Sequence, residues 1–123
     1  MARITHEQHD DLVILRVFGD LSFEEIIEAI QTYFPLVTRN LFWDFTEGRL
    51  DGVTPKQFRA LPPIVIKHLP AGRTTGRTAY ACPNANDYGM FRMYSAIADI
   101  NALPYEYAVY RTLEDALEWV RNG

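Results

Sequence analysis

The chain has 123 residues, 48% of them hydrophobic and 23% charged, which suits one globular domain with a core that needs no disulfide or metal staple. Lys and Arg number 12 against 16 Asp and Glu, so the net charge is −4; with no basic run, a nucleic-acid partner is not expected. One cysteine excludes an intrachain disulfide and a Cys-based zinc site, no apolar stretch suits a bilayer span, and residues 1–11 lack the apolar centre of a secretory signal, so a cytoplasmic address is expected.

Residues 3–8 read as a short strand and His9-Asp10-Asp11 as a turn. Residues 12–18 form a nearly unbroken apolar run of strand length, the pattern of a strand covered on both faces, and Gly19-Asp20 ends it. Ser22 then caps a helix, Glu25 completes a capping box, and Leu21 with Ile26 has hydrophobic-staple spacing. Phe23, Ile26, Ile27 and Ile30 mark one helical face, and Pro35 forbids continuation near Phe34.

Residues 41–45 (Leu-Phe-Trp-Asp-Phe) predict a second core strand, with a loop over 46–52. Thr54 caps the next helix, Pro55 takes its first position, Gln57 completes the box, and Val53 with Phe58 makes the staple. Pro62-Pro63 interrupts that helix, giving a kink or two short helices, the second over 64–68. A strand over 77–82 follows, closed by Pro83. Asn84 caps a third helix with Asp87 at the box-like position and Tyr88, Phe91, Tyr94 or Met93, Ile97 and Ile100 on its apolar face. Gly89 inside this helix suggests close packing or approach of a ligand. Residues 104–110 predict the last strand, and Thr112 caps a final helix carrying Leu117 and Val120.

The order is β-β-α-β-α-β-α-β-α: an α/β open mixed sheet of five strands, mostly parallel, with an antiparallel opening pair. With right-handed crossovers and strands in sequence order, the helices gather on one face. Trp43 shares a side with Leu41 and Phe45, Thr78 with Tyr80 and Cys82, and Tyr107 with Val109, so both faces are apolar or aromatic. The second face then needs a cover: the first helix, a second copy of the chain in a homodimer, or a lipid-like ligand.

This order, the hairpin with residues 12–19, Leu-Phe-Trp-Asp-Phe-Thr at 41–46, Tyr-Gly-Met-Phe-Arg-Met-Tyr at 88–94 and Thr-Leu-Glu-Asp-Ala-Leu-Glu-Trp-Val at 112–120 resemble the STAS and SpoIIAA-like domains. That group includes the bacterial anti-sigma-factor antagonists and an uncharacterised STAS/SEC14-like branch. The resemblance spans nearly the whole chain and implies a single SpoIIAA-like domain over 1–123, a cytoplasmic interaction or regulatory module without chemistry or cofactor of its own. In the antagonists a serine at the start of the second helix is phosphorylated within an Asp-Ser-Ser-Gly-like motif. Here the matching stretch is Leu50-Asp51-Gly52-Val53-Thr54-Pro55, where only Thr54 can stand in, and it already serves as a cap. Orthodox partner switching is therefore not expected. The SEC14-like side of the resemblance implies the alternative, a carrier or sensor of a small apolar ligand.

Open parallel sheets bind ligands at the carboxyl ends of their strands beside helix N-termini. The candidate ligand or partner residues there are Asp44, Thr46, Thr54, Asn84, Tyr88 and Arg92. Asp44 interrupts an aromatic strand and needs a partner, for which Arg92 is the candidate. His6, His9 and His68 have no metal-ligand spacing; His6 and His9 fall on opposite faces if their strand continues that far. Cys82 reads as a buried, inert thiol, and no Gly-x-Ser-x-Gly, Walker loop or Gly-x-Gly-x-x-Gly is present. No nucleophile–base–orienter set emerges, so no catalytic residue is expected.

Overall fold

The computed structural model describes residues 2–69, 76–100 and 105–122, the side chains of 99 and 100 excepted. Its elements are β1 (Arg3–His9), β2 (Leu12–Asp20), α1 (Phe23–Tyr33), β3 (Asn40–Arg49), α2 (Pro55–Arg59), α3 (Leu61–His68), β4 (Arg77–Ala81), α4 (Ala85–Ile100), β5 (Glu106–Tyr110) and α5 (Leu113–Arg121), with a 3₁₀ turn at Phe34–Leu36. The strands lie in sequence order; β1 is antiparallel to β2 and every later pair is parallel.

The local signals operate as written in the sequence. Ser22 and Glu25 form a complete capping box, as do Thr54 and Gln57, with Pro55 in the first turn. The staple residues Leu21, Ile26, Val53 and Phe58 are all buried. The expected pair of short helices is present as α2 and α3, but the two prolines fall in the first turn of α3, where a missing N–H costs nothing, so that helix starts at Leu61 rather than at Ile64. Strand β3 runs to Arg49, past the expected end at residue 45. A register shift between Arg16 and Phe18 lets Gly48 lie beside Gly19, and a side chain at Gly48 would meet Val17 Cγ1 at 2.8 Å. Pro104, the first residue of the expected last strand, lies outside the described residues.

Strand alternation makes two cores. On the first face Leu15, Leu41, Trp43, Phe45, Tyr80 and Cys82 meet the buried residues of α1 to α4, with Phe91 stacked on Tyr80 at 4.2 Å between ring centres. On the second face Leu12, Ile14, Phe42, Ala79 and Ala81 pack under Ala116 and Val120 of α5. The expectation that all helices share one face is therefore corrected. The crossover rule acts on a helix held between two parallel strands, and α5 has no later strand to return to. The cover of the second face is α5 rather than α1. Polar clamps fix its carboxyl end: Asn40 Nδ2 donates to the Val120 carbonyl at 3.1 Å and Arg77 Nη1 to the Trp119 carbonyl at 2.7 Å.

Candidate interaction site

The carboxyl edge of the sheet gathers the N-termini of α1, α2, α4 and α5. Between β3 and α2 the chain is held at four points. The Leu21 N–H donates to the Arg49 carbonyl at 2.8 Å, Asp51 N–H to Asp20 Oδ1 at 3.0 Å, Leu50 N–H to Asp87 Oδ2 at 3.2 Å, and Val53 N–H to the Leu50 carbonyl at 3.1 Å. Thr54 Oγ1 is engaged by the Gln57 N–H at 3.2 Å, although the residue itself is exposed.

Asn84 caps α4: its Oδ1 accepts from the N–H groups of Asn86 at 2.9 Å and Asp87 at 3.3 Å. One turn on, the half-buried Tyr88 ring has two guanidinium groups beside it, Arg92 at 6.0 Å and Arg111 at 5.4 Å from its centre. Arg111 in turn donates from Nη2 to the Pro83 carbonyl at 2.8 Å, tying the end of β5 to the end of β4. Asn84, Tyr88 and Arg92 thus stand together, and Asp87 links them to the segment carrying Thr54.

Asp44 and Thr46 belong elsewhere. Asp44 is 7% exposed on the second face, where Oδ1 accepts from the backbone and hydroxyl of Thr46 and Oδ2 faces Arg16 Nε at 3.3 Å. Arg16 also pairs with Glu7. The expected partner Arg92 is corrected to Arg16: register places Arg16 directly beside Asp44, whereas Arg92 is on α4 over the opposite face. Asp44, Thr46, Arg16, Glu47 and Leu113 line a groove of about 230 Å³ at the start of α5, separate from the Tyr88 cluster.

The other chemistry-bearing groups are accounted for by packing. Burial, helped by the charges of Asp87 and Asp44, pushes the Cys82 thiol far above its ordinary pKa and keeps it protonated. Burial also raises the Asp87 carboxyl, against the N–H of Leu50 and the amide of Asn86 that stabilise its charge; Asp51 and Asp20 add to the rise. His6 stacks on Tyr33 and His9 lies beside Glu7, on opposite faces of β1. No three His, Cys, Asp or Glu among the described residues are grouped to hold a metal. Gly89 is exposed with open space where a side chain would be, so close packing within the chain does not explain it.

Sequence reasoning singled out neither Asp87 as a clasp nor Arg111 as a tie. An acidic residue three beyond a cap suggests a local box, whereas the Leu50 N–H that Asp87 accepts from is 37 residues away. Arg111 had a weak signal, as a cation immediately after a strand whose end faces a helix start.

With its five-stranded mixed sheet in sequence order, four helices against one face and one against the other, this chain has the SpoIIAA-like fold. No family model matches the chain, and no curated protein matches it in sequence. Among solved structures it is similar to an uncharacterised DUF3478-family protein with a SpoIIAA-like fold from Shewanella loihica PV-4 (TM-score 0.56, 17% identity, covering 97% of this chain and 93% of that one). It is similar too to the anti-sigma factor antagonist SpoIIAA in its unphosphorylated form (0.55, 18%, 98% and 100%). An anti-sigma factor antagonist from Mycobacterium paratuberculosis also matches (0.51, 21%, 98% and 95%). No helix among the described residues is long and apolar enough to cross a membrane.

Proposed function

We propose that the chain is a non-enzymatic interaction or regulatory module that engages a protein partner through its carboxyl edge. The reading rests on one observation: the segment from Arg49 to Thr54 is pinned at four points and displayed beside Tyr88 and Arg111, a preorganised surface. Aromatic and arginine side chains are the types enriched in protein interfaces. The antagonists with the same fold supply the analogy, and residues 50–55 lack their serine pair, so the edge works here without that switch. The reading also takes the module to act in the cytoplasm.

The test begins with photocrosslinking at Gly52 in the native host, followed by calorimetry with the recovered partner. Tyr88→Ala combined with Arg111→Ala weakens binding at least about tenfold, and Glu118→Lys on the far helix leaves it unchanged. Equal affinity in both variants sinks the reading. So does metal-independent esterase or phosphatase turnover abolished by Asp44→Ala.

The alternative, a carrier of an apolar ligand, needs internal room. The void between the first face and its helices, lined by Trp43, Phe58, Leu61 and Phe91 among others, measures about 30 Å³, the space of one water. A pocket for a drug-sized ligand needs roughly ten times that. Native mass spectrometry of freshly purified protein is expected to give the mass of the chain, single or paired, with no added ligand mass.

A further inference from the structure

Charge is sorted by sign along this chain. Residues 21–38 contain three Glu and no Lys or Arg, while residues 52–86 contain no Asp or Glu at all. The fold puts these two segments side by side. Helix α1 packs against α3, and the 3₁₀ turn at Phe34–Leu36 packs against both. All three lie over the first sheet face, so their outer residues open to the same side.

That outer surface has three components. Glu24, Glu28 and Gln31 make an exposed stripe on α1. Lys56, Arg59 and Lys67 make an exposed cationic stripe on α2 and α3. The two large hydrophobic residues most exposed among the described ones, Leu36 at 42% and Ile66 at 53%, sit on the adjoining turn and helix. On the opposite sheet face three ion pairs form within the chain, Glu7 with Arg16, Arg16 with Asp44 and Arg77 with Glu106, while Glu114, Asp115, Glu118 and Arg121 on the outer side of α5 have none among the described residues. Here, among the described residues, neither Glu24 nor Glu28, nor Lys56, Arg59 or Lys67, has an ion-pair partner.

We infer that this face, made by α1, α2, α3 and the 3₁₀ turn, is occupied by a second copy of the chain. A two-fold pairing brings the same patch together with itself, so a patch that is acidic on one side and basic on the other is self-complementary. Rotation about an axis between α1 and α3 sets Glu24 and Glu28 of one protomer against the cationic stripe of its partner. Leu36 and Ile66 fall near the axis, where apolar contact excludes water and strengthens the flanking pairs. The pairing uses the helical layer, which meets the carboxyl edge at the first turns of α1 and α2, where Glu24 and Lys56 lie.

Light scattering after size exclusion, at tens of micromolar and low salt, is expected to give twice the 14.2 kDa chain mass. Raising salt to about 1 M, where the screening length falls to about 3 Å, weakens the dimer at least tenfold. Lys67→Glu with Arg59→Glu is monomeric at low salt, adding Glu24→Lys with Glu28→Lys restores association, and Ile66→Asp abolishes it. A strict monomer in the wild type at low salt overturns the inference. If that monomer sediments with phosphatidylserine vesicles, the patch belongs to a lipid surface instead. A dimer untouched by both salt and Ile66→Asp also overturns it, because association then uses another face.

Discussion

The two faces of one sheet are covered by different means. The first carries Trp43, Phe45 and Tyr80 under four helices and is held by aromatic mass: Phe91 lies against Tyr80, Phe45 and Phe58 with ring centres 4.2, 5.1 and 5.6 Å away. The second has small residues, Ala79 and Ala81, under a single helix, and polar groups finish what packing leaves undone. Asn40 and Arg77 catch the last carbonyls of α5, the Arg77 guanidinium lies 4.7 Å from the Trp119 ring centre, and the uncovered strip toward β1 carries the Glu7–Arg16–Asp44 pairs. Burial without direction supplies adhesion on one side; on the other, directional bonds choose where a lone helix sits.

The contrast predicts unequal costs of truncation. Phe91→Ala removes an aromatic side chain that is 5% exposed and is expected to lower stability by about 3–5 kcal/mol in urea unfolding. Val120→Ala, under the second face, is expected to cost about 1–2 kcal/mol. Equal losses would erase the asymmetry. Next comes Asn40→Ala. Asn40 Oδ1 accepts from the Arg77 N–H at 2.9 Å while Nδ2 serves Val120, so its loss strands two partly or fully buried backbone groups. The expected cost is about 2–3 kcal/mol, with hydrogen exchange accelerated in α5 and unchanged in α1. Uniform acceleration would mean that the clamp holds the whole fold rather than one face.

Asp87 brings a directional bond to the aromatic side, and its charge makes it the sharper probe. Asp87→Ala leaves the Leu50 N–H without its acceptor and is expected to cost about 1–3 kcal/mol. Asp87→Asn keeps an acceptor and removes the buried charge. The folded pKa of Asp87 lies above its unfolded value, so the folded chain takes up the proton more readily. Its ionised form therefore disfavours folding at neutral pH, and stability is regained as pH falls through the raised pKa toward the ordinary carboxylate value of about 4. Glu25, lowered chiefly by the Ser22 N–H, acts in the opposite sense, so the informative quantity is wild type minus Asp87→Asn. That difference should shrink on acidification; a flat difference would put the Asp87 charge outside the balance.

What the sequence disclosed follows the same division. Capping boxes at Ser22 and Thr54, the alternation that places Trp43 with Leu41 and Phe45, and the order of elements all rest on signals within a few residues, and each is legible. The side taken by α5 rests on Asn40 reaching Val120 across 80 positions. The Arg16 partner of Asp44 depends on a strand register that no local pattern fixes. One trace was present: alanines at 79, 81 and 108, on one side of two neighbouring strands, leave room for a helix carrying Ala116 to approach closely. The six candidate site residues divided for this reason, since Asp44 and Thr46 read as the end of a strand when a register shift carries that strand on to Arg49.

The smallest expected effect is the one with opposite sign. Gly89 lies in the interior of α4, exposed, with no atom within 4 Å of where a Cβ would stand and no positive φ to accommodate. A glycine in such a place weakens the helix through the entropy of the unfolded chain, so Gly89→Ala is expected to stabilise the protein by about 0.5–1 kcal/mol. Because Tyr88 and Arg92 flank it, the substitution also tests how the edge is built. A partner site resting on a preformed α4 gains or keeps affinity when the helix stiffens. A site that requires α4 to yield on binding loses affinity as the chain becomes more stable, and unfolding and calorimetry on one variant would then move in opposite directions.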